Sequence, residues 1–446
     1  MINNIKIYAE NKLRYNYYFK RELKAINEQK QWESSMLRER QEFAFLALVH
    51  QAYHQSSFYR HLYDLHKVDI EKIKKIEDIQ RLPIITKDSI RDHVNTIFIG
   101  NRLNRSTAHT SGTTGSPLTL YRDYQSIVKE AAYQWAHRMS FGYKVGMRTV
   151  TLRGNLGKTQ MESFDPHSNT LYLSSYNLSQ NNAEWYYERI RDFAPQAILA
   201  YPSSLEILAN YFQGMGKSLH VPLSFTSSES VYAHQREKVE SAFNTKIVDW
   251  YGNAERTIAL EQNALGLYDE LPLYSVNEFA ENYAITTSLI NFSFPLIRYR
   301  VDDVFVTSDT EAGGPKVVES IQGRSNDYLL LPDGTQVGLL CNAMKGIDHL
   351  LFAQIVQEHA HSFTIKLVVD DHFTEKDEQQ VRNNIIKKVG SSAVFDIIYV
   401  NEDKIIRSKS GKFKMIINNV NKETTSEPEL IASWLTIKPS VSLDSL

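Results

Sequence analysis

The chain has 446 residues, 42% of them hydrophobic and 23% charged, enough for two or three domains with a large core and typical of an ordinary globular protein. A net charge of −2 argues against a dedicated nucleic-acid binder, which needs a basic surface to displace counterions. A single cysteine, Cys341, leaves no internal disulfide, the first residues show no apolar leader, and no apolar run approaches the roughly 20 residues of a membrane span, so a cytoplasmic protein without a transmembrane segment is expected.

Residues 1–34 are rich in Lys, Arg and Tyr, among them Lys12, Arg14, Tyr15, Tyr17, Tyr18, Lys20 and Arg21. They predict a solvated helical face with the tyrosines packed beneath it. Residues 35–65 place Leu37, Phe43, Phe45, Leu46, Val49 and Tyr53 at helical spacing. His50 and His54 stand four apart, as two metal ligands on one helix face would, but no third ligand accompanies them, and a structural role is expected. Thr86 reads as a helix N-cap.

Thr110-Ser111-Gly112-Thr113-Thr114-Gly115-Ser116-Pro117 is a run of hydroxyls and glycines without an acid. Hydroxyls and backbone N–H groups are donors for a phosphate chain, and glycine lets the backbone come close. The flanks, Thr107 to His109 and Leu118 to Tyr121, read as extended, so the run is expected to be a loop between two hairpin strands. It lacks the glycine spacing and the Gly-Lys-Ser/Thr of a P-loop. A plain polar surface loop is the alternative.

Tyr124 to Met139 reads as a long helix. From Arg148 strands and helices alternate: strand Thr149 to Gly154, strand Leu171 to Tyr176, helix Asn182 to Phe193, strand Ala197 to Tyr201, and a helix opened by Pro202-Ser203-Ser204. This predicts a mostly parallel sheet covered by helices, with ligands beyond the carboxyl ends of its strands, near Gly154, Tyr201 and Ser203. Strand Leu223 to Ser227 then leads into Ser228-Glu229-Ser230, helix 233–243 follows, and strand Lys246 to Trp250 runs into Tyr251-Gly252-Asn253-Ala254-Glu255. In the tail, strand Ser362 to Val369, amphipathic helix Thr374 to Val389 and strand Ala393 to Val400 precede Lys409-Ser410-Gly411-Lys412-Phe413-Lys414.

Five segments, in order, resemble the signatures of the adenylate-forming superfamily of acyl-CoA synthetases and ligases, and more narrowly its phenylacetate-CoA ligase and CapK-like capsule-biosynthesis branch. They are Thr110 to Pro117, Ser227 to Glu255, Pro295 to Val304, Ile321 to Leu329, and Lys409 to Lys414. The resemblance covers about residues 50–420. It implies an α/β protein with a large multi-sheet N-terminal domain, residues 1–325, and a small, mobile α+β C-terminal lid, residues 326–446.

The resemblance also implies roles. Thr110, Ser111, Gly112, Thr113, Thr114 and Gly115 hold the phosphates of ATP, with Thr114 among the catalytic residues. Ser228, Glu229 and Ser230 lie against the adenine, Tyr251 and Gly252 pack on the purine, Asp303 takes the ribose hydroxyls, and Arg324, in the hinge segment whose hinge residue is Asn326 or Asp327, pairs with phosphate or ribose oxygens. Glu255 holds Mg²⁺ and Lys412 meets the charge growing on the α-phosphate. Arg153, Gly154, Tyr201 and Ser203 line the substrate pocket.

The implied reaction is activation of a small-molecule carboxylate by Mg-ATP, giving an acyl-adenylate and pyrophosphate. Acyl transfer follows to CoA or another thiol or amine acceptor, in capsule, polysaccharide or secondary-metabolite biosynthesis. Ser116 replaces a lysine common in relatives, Asp302 replaces a glycine, and Asn326 replaces an acid. These departures keep two alternatives open: a nucleotide-binding scaffold without turnover, and an adenylyltransferase that leaves AMP on its product. A homodimer is also open, as is the identity of the acid.

Overall fold

The computed structural model describes residues 16–110, 118–154, 156, 159–308, 316–324, 328–331, 335–338, 340–344, 347, 349–359, 362–391, 393–407, 413 and 415–420, with the backbone alone at 323, 324, 336, 338, 341 and 342. Three helices open it: α1 (Tyr17–Gln29), α2 (Ser34–Gln55) and α3 (Ser57–Leu65). The α1 face differs from the expected one. Phe19 and Ile26 are buried, whereas Tyr17 and Tyr18 are 74% and 51% exposed. Spacings of four and three put Phe19, Leu23 and Ile26 on one side of a helix, and the two tyrosines fall outside that stripe. The His50 and His54 rings stack 6.4 Å apart, and no group of three potential metal ligands occurs among the described residues. Helix α4 (Lys87–Ile97) begins where Thr86 accepts from the Ser89 N–H and Ser89 Oγ accepts from the Thr86 N–H, a reciprocal cap.

Strands β1 (Arg105–His109) and β2 (Thr119–Asp123) pair antiparallel, and helix α5 (Tyr124–Ser140) follows directly. Next come β3 (Thr149–Arg153), β4 (Glu162–Asp165), β5 (Thr170–Ser174), α6 (Ala183–Phe193), β6 (Ala197–Ala200), α7 (Pro202–Gly214), β7 (Leu223–Ser227), α8 (Ala233–Phe243) and β8 (Lys246–Gly252). Helix α6 stops because Ala194 turns left-handed, at φ 47°, and α7 starts with Pro202 in its first turn. Then follow β9 (Ala259–Gln262), β10 (Tyr268–Glu270), β11 (Ser275–Phe279), β12 (Ala284–Ser288), β13 (Tyr299–Val301), β14 (Asp303–Ser308) and β15 (Val317–Arg324).

Ten of these strands form one sheet, in the order β14-β15-β10-β9-β8-β7-β6-β3-β5-β4. Its middle, β5-β3-β6-β7-β8, is parallel, as the strand-helix alternation predicts, but every pairing outside that middle is antiparallel. The sheet is therefore mixed rather than mostly parallel. No helix separates β8, β9 and β10, so no crossover can make them parallel. Strands β11, β12 and β13 form a separate antiparallel sheet.

A small α+β C-terminal domain completes the fold. Strands β16 (Tyr328–Leu330) and β17 (Gln336–Gly338) pair with each other, and β18 (Leu350–His359), β19 (Ser362–Val369), β20 (Val394–Tyr399) and β21 (Ile416–Asn418) form a sheet backed by α9 (Glu375–Val389). Helix α9 has acids in its first turn and Lys387 and Lys388 in its last, which suits the helix dipole. Its Val381 and Ile385 enter a core with Ile355, Ile365 and Leu367. A second core joins β3, β5 and β6 to α6, α7 and α8, and it takes in Phe352, Val368 and Ile405 from the C-terminal domain. Among the described residues no helix is long and apolar enough to cross a membrane.

Candidate active site

The loop expected to cradle phosphate has the anticipated frame. His109 faces Thr119 across the hairpin, the Thr110 N–H donates to the Leu118 carbonyl at 3.0 Å, and the Leu118 N–H donates to Thr110 Oγ1 at 3.0 Å. Thr110 thus ties the neck of the loop. Ser111, Gly112, Thr113, Thr114, Gly115 and Ser116 lie outside the described residues, as do Asn326 and Lys412.

The other expected residues gather at the carboxyl ends of β3, β6, β7 and β8. At the end of β7, Ser228 adopts a left-handed backbone, φ 75°, and Ser230 follows half-buried. A left-handed serine turns the chain sharply away from the strand. Between them Glu229 accepts from the backbone N–H groups of Ser203 at 3.1 Å and Phe413 at 3.2 Å. One carboxylate therefore joins the start of α7, the end of β7 and the residue after Lys412.

At the end of β8, Tyr251 donates its hydroxyl to Asp303 Oδ2 at 2.5 Å and meets the Phe305 ring edge-on at 5.3 Å. Gly252 follows where a Cβ would stand 3.1 Å from the Trp250 indole nitrogen, so a side chain is disfavoured there. Asn253 and Thr257 bond each other twice, closing the turn that presents Glu255. The Arg122 guanidinium donates to the Ala254 carbonyl, which fastens that turn to hairpin strand β2. Glu255 Oε1 accepts from the Tyr299 hydroxyl at 2.8 Å, and Oε2 has no hydrogen bond among the described residues. Asp303 pairs with Arg324 across β14 and β15. Asp302, where the resemblance leads one to expect a glycine, meets Lys87 Nζ at 3.2 Å and Arg300 Nε at 3.3 Å. Two cations thus accommodate the extra carboxylate.

The expected pocket residues also meet. Arg153 Nη2 donates to Ser227 Oγ at 3.0 Å, and its guanidinium carbon stands 5.7 Å from the centre of the Tyr201 ring. Burial lowers the Arg153 pKa to about 10 and raises that of Tyr201, whose hydroxyl also bonds the Gly154 backbone. The Ser203 and Ser204 hydroxyls are buried without hydrogen-bond partners among the described residues.

Some contacts around this crevice were not read from the sequence. Glu402 accepts from the Tyr211 hydroxyl and from the Gln180 N–H at 3.3 Å. Asn210 Nδ2 donates to the Leu351 carbonyl at 3.3 Å, and Arg407 and Phe413 pack on Phe352 with separations of 5.5 and 6.0 Å. Burial raises the Glu402 pKa and lowers that of Arg407. The Tyr211–Glu402 and Asn210–Leu351 contacts dock the C-terminal domain on α7. Tyr211 and Glu402 are 191 positions apart, and no local pattern marks the pair.

Comparison with known proteins shows what the chain resembles in sequence and fold. A family model described as the CapK C-terminal domain matches residues 329–419. Protein CapK of Staphylococcus aureus is 24% identical over 440 residues, covering 92% of this chain and 94% of its own. The phenylacetate-coenzyme A ligase of Thermus thermophilus is 25% identical over 319 residues, covering 66% of this chain and 72% of its own. Among solved structures, 2-hydroxyisobutyryl-CoA ligase in the postadenylation state, in complex with R3-HIB-AMP, superposes with a TM-score of 0.65 at 14% identity, over 86% of this chain and 89% of that one.

Proposed function

From a chain related to CapK and the phenylacetate-CoA ligases, with the fold of the adenylate-forming ligases, we propose an AMP-forming ligase that activates a small carboxylic acid with ATP. The observation that carries this reading is the convergence of Tyr251, Asp303 and Glu255 beyond the carboxyl end of β8, with the hydroxyl-rich hairpin fastened to the same turn through Arg122 of β2.

Tyr251 offers the purine an aromatic surface, and Asp303, aligned by the Tyr251 hydroxyl, accepts from the ribose hydroxyls. The loop from Thr110 to Gly115 donates to the phosphates. Glu255 fits a magnesium ion, since one carboxylate with a free oxygen, together with substrate phosphates, is the donor set that ion takes. When bound there, Mg²⁺ neutralises phosphate charge. Fixing both reactants turns an encounter of two anions into an aligned displacement by the carboxylate on the α-phosphate. Lys412 stabilises the charge that grows there.

Residues 326–446 act as a mobile lid, hinged near Arg324 and Asn326, that carries Lys412 in and later exposes the acyl-adenylate to CoA or another acceptor. Ser228 and Ser230 flank the adenine, and Arg153, Gly154, Tyr201 and Ser203 line the acid pocket. The relationship to CapK favours a role in capsule or other polysaccharide assembly.

The test is product identity. Incubation with MgATP and a panel of acids should release AMP and pyrophosphate in an acid-dependent manner. Release of ADP and phosphate, or no release with any acid while ATP binds, would contradict the reading. AMP retained covalently on an isolated product would instead mark an adenylyltransferase.

A further inference from the structure

Arg153 stands at the end of β3 with its guanidinium turned across the neighbouring strands. Nη2 reaches Ser227 Oγ, the carbon end lies beside the Tyr201 ring, and Nε is buried with no hydrogen-bond partner among the described residues. Ser203 Oγ is likewise buried and unpartnered. A guanidinium withdrawn from water needs a counter-charge and hydrogen-bond acceptors.

The charges in view do not supply them. Glu229, the carboxylate facing Arg153, already holds the Ser203 and Phe413 backbone N–H groups, and it also faces Arg407, whose Nη1 is buried without a partner among the described residues. Asp249 is engaged by Thr226 at 2.5 Å and Tyr268 at 2.9 Å. Arg138 adds further positive charge nearby. The crevice is therefore short of negative charge at Arg153.

Its location is informative. The guanidinium touches β7, which neighbours β8 and its Tyr251. Adjacent strands lie about 5 Å apart. A group bound at Arg153 would sit a few carbon atoms from an acid activated over the end of β8.

We propose that Arg153 is a specificity-determining residue that receives a second carboxylate, at the far end of a short substrate acid. This rests on the acid-activating reading above. The free Nε and its neighbouring Nη present the fork that suits a carboxylate, Ser203 Oγ adds a donor, and Tyr201 walls the alkyl chain. A monocarboxylic acid of the same length leaves the guanidinium unmatched, and sites built around a polar partner discriminate strongly against ligands that lack it.

The experiment compares acids matched in length: succinate against butyrate, glutarate against pentanoate, and likewise for dicarboxylates of three to seven carbons. Acid-dependent pyrophosphate exchange into ATP is expected to favour the dicarboxylate at least tenfold in kcat/KM. In Arg153→Leu the ratio should fall to about one, and Arg153→Lys should retain an intermediate preference. Equal use of both acids by the unaltered protein overturns the proposal. So does an equal loss for both in Arg153→Leu, which would place the guanidinium on the reacting carboxylate or in the scaffold.

A second readout needs no turnover. The same dicarboxylates, without ATP, should raise the melting temperature of the unaltered protein and leave that of Arg153→Leu unmoved. A shift without exchange from any acid would sustain the second-carboxylate site and defeat the adenylation reading. Neither shift nor preference with any dicarboxylate in the series overturns the site itself.

Discussion

Tyr251 and Asp303, 52 positions apart, share a hydrogen bond of 2.5 Å that locks the end of β8 to the start of β14. A carboxylate aimed by a phenol is ready to accept from two ribose hydroxyls without first being oriented. Tyr251→Phe keeps the ring and removes the aim. It is expected to raise the KM for ATP about tenfold with a smaller change in kcat, roughly the 1.4 kcal/mol of one hydrogen bond to a charged group. Asp303→Ala should cost more. Steady-state kinetics in ATP for the two variants provide the check, and an unchanged KM in both would remove Asp303 from the nucleotide site.

Glu255 has one oxygen on Tyr299 and the other without a hydrogen bond among the described residues. Glu255→Gln preserves the shape and the hydrogen bond but removes the charge that a divalent cation needs. Exchange activity should fall by about a hundredfold and the magnesium concentration for half-maximal rate should rise, while unliganded stability changes little. A magnesium titration of the variant decides it. The same magnesium dependence as the unaltered protein would place the ion elsewhere.

The Tyr211–Glu402 contact holds the C-terminal domain against α7, with Arg407 and Phe413 on Phe352 beside it. If the domain swings during turnover, this contact has to break and re-form. Tyr211→Phe is expected to shift the population toward open forms, seen as a larger radius of gyration in solution scattering and faster proteolysis near residue 326. Identical scattering and cleavage would mean that this contact does not govern the domain's position.

Glu270, on β10, is half-buried, and desolvation pushes its pKa up from 4.5 to about 7, with Asn277 and Lys316 pulling the other way. Below about pH 4.5 both folded and unfolded chains carry the proton, and between 4.5 and 7 only the folded chain does. Stability should therefore decline as pH rises through that window. Glu270→Gln removes the ionisable group and should flatten the decline, with a gain of up to about 3 kcal/mol at pH 8 and little change at pH 4.5. Urea unfolding at both pH values measures it, and parallel pH dependence in both proteins would show that Glu270 titrates normally.

Much of the central sheet was legible because Gly, Pro and hydroxyl residues punctuate it. Pro202 opens α7, Thr86 caps α4, and the Thr110 to Pro117 run sits between two alternating strands that pair in the structure. The antiparallel half was harder to read. Residues 259–308 hold short strands without helices between them, and direction is set there by which partner each strand finds. The tyrosines of α1 were assigned to the buried side on their apolar rings, although the Phe19, Leu23 and Ile26 spacing points the other way. At the candidate site, contiguous motifs name Tyr251, Glu255 and Asp303, and the structure brings Tyr251 and Asp303 into contact. Their supports were not legible that way: Tyr299 beneath Glu255, Lys87 on Asp302, and the Glu402 and Arg407 side of the docking surface come from distant parts of the chain.

In the proposed mechanism the early hydroxyl hairpin and a lysine from the tail act on one triphosphate. Exchange of labelled pyrophosphate into ATP, run alongside calorimetric ATP binding, tests it directly in the unaltered protein and in Lys412→Ala. Acid-dependent exchange is expected in the first, and in the variant exchange at least a hundredfold slower with ATP affinity within about threefold, since the lysine acts on charge that appears only in the transition state. Exchange that survives in Lys412→Ala, or that falls only in proportion to lost ATP binding, would contradict it.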